Sequence, residues 1–308
     1  MAKSTRTSVI GPEASAREEP VEYPSPSRQM LLRARRHHSL VIGSVMLAMV
    51  ILMALLSPLI APYDPALQDL ENRFSPPFWS EGGSTEHILG TDNLGRDILS
   101  RIMWGSQTSL IIGLLTVVMS GVIGSALGIA AGYFGGRLDM IVTFLVTVRL
   151  SLPVVLVALV VVAVLGNSLS LMIAAIGLLL WDRFAIVSRS VTRQLATREY
   201  IIAARCFGSS SARVLIRELL PNLYGPLLVV ASLEMANAVL LEASLSFLGL
   251  GVQPPQVSWG LMVAEAKSQL LFRPWVLAIP SVALIWLVLS INLVGDALRD
   301  ITTPEGRT

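Results

Sequence analysis

Arg149, Glu234 and Glu242 each stand inside a long apolar run, an unfavourable place for an ionisable side chain. If those runs lie in lipid, each charge costs about 2.5–3.5 kcal/mol to insert and must face a polar cavity or a partner. On a helix, Glu234, Ala238 and Glu242 form one slowly drifting strip with Asn237 on its flank. Two roles fit Glu234: lining a solute pathway, or pairing with another helix, with Arg149 as a candidate partner. Glu242, near the outer end of its run, suits a structural hydrogen bond as well as a pathway. Arg149, Glu234, Asn237 and Glu242 are therefore the candidate pathway set.

Other chemistry is poorly supplied. His87, Asp92 and Asp97 are conceivable metal ligands, but no second histidine or cysteine is nearby, and Gly90 and Gly95 among them describe a tight hydrogen-bonded turn. No metal site and no catalytic residue is expected, because a Ser/His or His/Glu constellation for an intramembrane enzyme is lacking. The only lysines are Lys3 and Lys267, and no Gly-Lys pair exists, so a phosphate-binding loop is excluded and the chain binds no cofactor of its own. Cys206, the single cysteine, can form no intrachain disulfide and reads as a small core filler.

The elements that must position these residues are membrane spans. Of the 308 residues 53% are hydrophobic and 14% charged, well below the roughly 25% charged residues of a soluble domain. A hydrocarbon core about 30 Å thick takes about 20 apolar residues of helix. Runs near 40–61, 108–131, 141–164, 168–189, 222–247 and 275–295 give six spans, the third and fourth separated only by Gly166-Asn167-Ser168. Residues 1–38, rich in Pro, Ser, Glu and Arg, read as a disordered tail. Arginine is concentrated at 28–36, at Arg137 and between Arg183 and Arg217, against Arg73, Arg96, Arg101, Lys267 and Arg273 on the other side. By the positive-inside rule both termini are cytoplasmic, and the loops 62–105 and 249–274 face outward. Gly124, Gly128 and Gly132, preceded by Ser120, form one smooth strip for close helix approach, within this bundle or against a second chain.

The cytoplasmic loop 190–221 reads as two short helices. The first runs from Glu199 to a stop at Gly208, a serine caps the second, and Pro221 forbids its simple continuation. Small Ala203 and Ala204 beside bulky Ile201 and Phe207 suit docking into a groove on a soluble partner, or an amphipathic pair lying on the membrane. This loop resembles the coupling segment of ABC importer permeases, with Ala203, Ala204, Gly208, Leu220 and Pro221 in register. Ile202 stands where that family carries Glu, and Glu218 where it carries Ile; Glu199, one turn earlier, is the candidate substitute. The run from His87 to Arg101, followed by Gly105, Ser109 and Leu110, looks like the signature of the C-type subunit of dipeptide, oligopeptide and nickel permeases. So do Glu242–Pro255 with Ser258-Trp259-Gly260, and Asn292–Asp300. Thr143, Phe144, Thr147 and Thr303 depart from the family pattern.

The resemblance implies an all-α membrane protein with six transmembrane helices in the type I ABC importer (MetI-like) fold. Its organisation would be a tail at 1–38, a permease domain at 39–300 and a cytoplasmic tail at 301–308. It implies a non-enzymatic permease of the bacterial inner membrane, paired with a B-type permease, two cytoplasmic ATPases that bind ATP and Mg, and an extracytoplasmic solute-binding protein. Short peptides are the implied solutes, with nickel chelates or glutathione as alternatives and a secondary transporter as the competing class. In a Cys206→Ser background, cysteines at Ser84 and Ser258 are expected to react with an impermeant thiol reagent outside the cell, and one at Ser210 is not. Labelling of position 210 from outside would reverse the orientation.

Overall fold

The apolar runs fold as helices, and no strand occurs among the described residues. The computed structural model describes residues 38–166 and 168–302. The expected tail before His38, with Arg28, Arg33, Arg35 and Arg36, lies outside the described residues, as do Asn167 and residues 303–308 with Thr303 and Pro304. In chain order the helices are α1 (His38–Ile60), α2 (Ile98–Phe134), α3 (Gly136–Leu150), α4 (Val154–Leu165), α5 (Leu169–Leu179) and α6 (Trp181–Ala196). They continue as α7 (Glu199–Cys206), α8 (Ser211–Phe247), α9 (Trp259–Ala266) and α10 (Pro274–Thr302).

Five helical stretches are long and apolar enough to cross a membrane: α1, α2, α5 with α6, α8 and α10. A sixth crossing is supplied if α3 and α4 count as one span, and these two meet at an angle of 89°. The sequence reads 141–164 as one uninterrupted run; the bend falls at Ser151-Leu152-Pro153, where proline has no N–H and pushes Leu152 out of the helical region. The run through 168–189 is likewise interrupted, at Leu180. The second helix starts earlier than its apolar core. Asp97 caps it by accepting from the Ser100 N–H at 2.7 Å, so two turns of the stretch expected as outer loop are helical.

The glycine strip packs within this chain. Gly124, Gly128 and Gly132 face Phe184, Ala185 and Thr192 of α6, with a Cβ at Gly128 falling 2.9 Å from Ala185 Cα. On the other side of the bundle α10 lies between α1 and α8, where Gly43 meets Leu293. Near the start of α2, Trp259 of α9 is fully buried against Gly105, and its indole N–H donates to the Ile102 carbonyl at 2.9 Å. Large apolar side chains such as Leu59, Val122 and Phe144 face outward, as lipid solvation requires. Because the contact at Gly128 is with backbone, Gly128→Val cannot be absorbed by a rotamer change. It should destabilise the purified chain by about 1–3 kcal/mol or more, read as a lower Tm in detergent, whereas Gly121→Ala, whose Cβ would only touch the Phe184 ring at 3.4 Å, should lower it less.

Candidate functional site

The loop at the C-terminal end of α6 is held by a small apolar knot. Ile201 of α7 is fully buried with Val214 and Leu219 at the base of α8, and Leu195, Ala204 and Tyr133 close around them. The guanidinium of Arg205 lies 4.4 Å from the Tyr133 ring centroid. Gly208 ends α7 with φ +79°. Its N–H donates to the Arg205 carbonyl at 2.9 Å and that of Ser209 to the Ala204 carbonyl at 3.0 Å, the paired bonds of a Schellman stop. Ser210 then caps the next helix, accepting from the Arg213 N–H at 3.4 Å.

Three expectations for this loop change. The second helix does not end at Pro221. It widens into a π-turn over Val214–Leu219, and the Leu220 N–H reaches back to the Leu215 carbonyl. That extra residue lets the chain accept the proline and run on as α8. Ile201 is not part of an outward docking face, because it is the residue that fastens α7 down; Ile202, Ala203 and Phe207 are outward, with Phe207 89% exposed. Cys206 is exposed rather than a core filler. Of the other expected loop residues, Glu199 and Pro221 are exposed, and Ala204 and Leu220 are half-buried.

A second site lies where both broken spans meet α8. A cavity of about 320 Å³ is lined by Arg149, Asp182, Arg183, Glu234 and Asn237 on its polar side and by Val154, Leu180 and Leu241 among its apolar walls. Arg149, Glu234 and Asn237 are thus brought together as the sequence suggests, but the pairing differs. Arg149 Nε lies 3.4 Å from Asp182 Oδ1 and donates to the Leu179 carbonyl at 2.6 Å, while Glu234 lies 3.4 Å from Arg183 Nε and accepts from Asn237 at 3.3 Å. Glu242 does not line this cavity. Its Oε1 accepts from Ser246 and Ser258 at 2.7 Å each, tying the start of α9 to α8. Ser258 is buried by this contact, so exposed Gln256 replaces it as the outer labelling position.

Asp182 and Arg183 are the site residues that sequence reasoning misses. They sit at the tryptophan that reopens the helix, and their signal was their depth within the 168–189 run. The outer loop hides a third such residue, Glu265. Arg96 and Arg101 each donate to its Oε2 at 2.8 Å, and both also bond to Asp92, which accepts from the N–H groups of Leu94 and Arg96. His87 Nδ1 lies 3.0 Å from Asp97 Oδ1. The carboxylates expected as turn formers are thus occupied by donors of their own loop.

Residues 124–306 match the family described as binding-protein-dependent transport system inner membrane component, and residues 25–77 match the N-terminal transmembrane domain of oligopeptide transport permease C. The chain belongs to the binding-protein-dependent transport permease family. Its relatives in this family include the di/tripeptide transport system permease protein DppC of Pseudomonas aeruginosa, 37% identical over 95% of this chain and 96% of the relative. The dipeptide permease DppC of Escherichia coli is 40% identical over 88% and 90%. Among solved structures, a chain of the inward-facing MetNI methionine ABC transporter superposes with a TM-score of 0.52 at 18% identity, covering 65% of this chain and 96% of that one. That likeness confirms the all-helical, MetI-like permease fold, and the protein is an ABC importer permease of the dipeptide transport family.

In this permease the outer network is a buried cluster of two cations and two anions, one anion partly solvated. Asp92→Ala would leave the guanidinium of Arg101 with a single counter-charge, at a cost of about 3–5 kcal/mol. Glu265→Ala should cost less, because Glu265 keeps 22% of its side chain exposed. Thermal melts of the two variants in detergent should show the larger drop for Asp92→Ala; equal drops would contradict this reading of the network.

Proposed function

We propose that this permease forms half of the translocation pathway of a short-peptide importer, with a related B-type permease as the other half. Two cytoplasmic ATPases, which carry the ATP and Mg, would dock on the loop around α7, and an extracytoplasmic binding protein would deliver the solute. The observation that carries the reading is the construction of α7. Its inner side is locked to the base of α8 by Ile201, and its outer side presents Ile202, Ala203 and Phe207 to a partner. A push on α7 is therefore passed to α8, which bears Glu234 and Asn237 on the cavity.

The choice of solute draws on the relatives, whose names include dipeptide and di/tripeptide transport. Orientation draws on the arginines at the α6–α8 end and places both termini in the cytoplasm of a bacterial inner-membrane protein. The breaks in α3–α4 and α5–α6 are also a feature of secondary transporters. Family membership, and not helix continuity, favours the ATP-driven reading.

Gly208 tests it. A side chain at φ +79° costs about 1–2 kcal/mol, small beside the stability of the bundle, and no atom of the described residues lies within 4 Å of its Cβ. Gly208→Asp should leave membrane levels near normal and abolish ATP-dependent uptake, with loss of solute-stimulated ATP hydrolysis in the reconstituted complex. Normal coupling in that variant would refute the docking role.

A further inference from the structure

The charged cavity sits at mid-depth in the bundle. Leu180 lies about 17 Å along the helix from the outer end of α5, and Glu234 about 20 Å from the end of α8, both near the middle of a core about 30 Å thick. The bent span α3–α4 and the one-residue irregularity at Leu180 converge there. α4 starts from Pro153 without a side-chain cap, and the first turn of α6 carries its own acid, Asp182. Irregular backbone at this depth is tolerated where it lines a polar volume.

The charges around the cavity are unspent. Both ion pairs stand at 3.4 Å without a hydrogen bond between the partners. Asp182 is 2% exposed, and its Oδ1, near Arg149 Nε, accepts no hydrogen bond because that N–H is given to the Leu179 carbonyl. Glu234 is equally buried, and the Arg183 side chain is 64% exposed and free to swing. A guanidinium so exposed at mid-depth cannot face hydrocarbon, so the mouth of the cavity opens to water or to the pathway. The lining supplies two acids, two cations and an apolar wall, with a volume at the lower end of the range for small-molecule sites.

We propose that this cavity is a transit site for zwitterionic short peptides. The α-ammonium is taken by Asp182 and Glu234, the α-carboxylate by Arg183, and the apolar wall tolerates the side chains. The proposal deepens the importer reading and rests on it for the identity of the solute. Loose pairs suit transit, since a zwitterion replaces each internal contact with one of its own and leaves no charge bare on departure.

The test is protection from thiol labelling in the nucleotide-free complex of permeases and ATPases. It needs neither transport nor the binding protein. In a Cys206→Ser background, Leu240→Cys places a thiol on the cavity lining. Dialanine should slow its labelling, and N-acetyl-dialanine and dialanine amide should each need roughly tenfold higher concentration for the same protection. Arg183→Gln should remove the advantage of dialanine over its amide and keep its advantage over the N-acetyl form; Glu234→Gln should do the reverse. Equal protection by all three solutes, protection by none, or loss of both preferences in each variant would overturn the site. Absence of dialanine uptake by the complete importer would count against the proposed function, while the protection pattern decides this cavity on its own.

Discussion

A charge inside a membrane must be paired or wetted, and this constraint organises the permease more than any single apolar contact. Asp182, Arg183, Arg149 and Glu234 would each be costly in hydrocarbon, yet the chain places all four around one cavity where two of its spans are broken. The breaks and the charges need each other. The uncapped start of α4 requires a polar volume, and the charges around the cavity provide it. The outer network of Asp92, Arg96, Arg101 and Glu265 solves the same problem differently, by closing its charges on one another. In one cluster every charge meets a counter-charge at hydrogen-bonding distance; in the other the pairs stand apart and Asp182 Oδ1 is an unfilled acceptor.

The helices between these sites convert that electrostatic arrangement into a mechanical one. The strip of Gly124, Gly128 and Gly132 brings α2 into backbone contact with α6, so α6 has a stiff rail along its length. Beyond its C-terminal end the knot of Ile201, Val214 and Leu219 joins α7 to α8. The π-turn over Val214–Leu219 lets α8 run from that knot through Pro221 to the cavity without a break. A displacement at the loop thus has a continuous helical route to Glu234. Glu242, bonded to Ser246 and Ser258, fixes the far end of α8 to α9.

Much of this was legible from composition and spacing. Apolar run length gives the long helices, four-residue glycine spacing gives the strip, and Gly208 with a following serine gives the turn between α7 and α8. Partnerships were less legible, because they depend on which helices become neighbours. Arg149 was a reasonable partner for Glu234 by charge alone; the fold sets it beside Asp182 and gives Glu234 to Arg183. Glu265 lies 164 residues from Arg101, and nothing local announces their contact. The break at Leu180 carries no glycine or proline of its own, so apolar periodicity passes over it. Pro221 misled for a different reason: a one-residue widening of the helix absorbs what would otherwise be a stop.

If α7 is the docking element of an importer, its movement should change which side of the membrane reaches the Glu234 cavity. In the complete importer carrying Cys206→Ser and Leu240→Cys, membrane-impermeant thiol reagents can be supplied from either side of a proteoliposome. Labelling should come from the cytoplasmic side without nucleotide and from the outer side when ATP is trapped in a hydrolysis-deficient ATPase. Accessibility that stays on one side in both states would contradict the account.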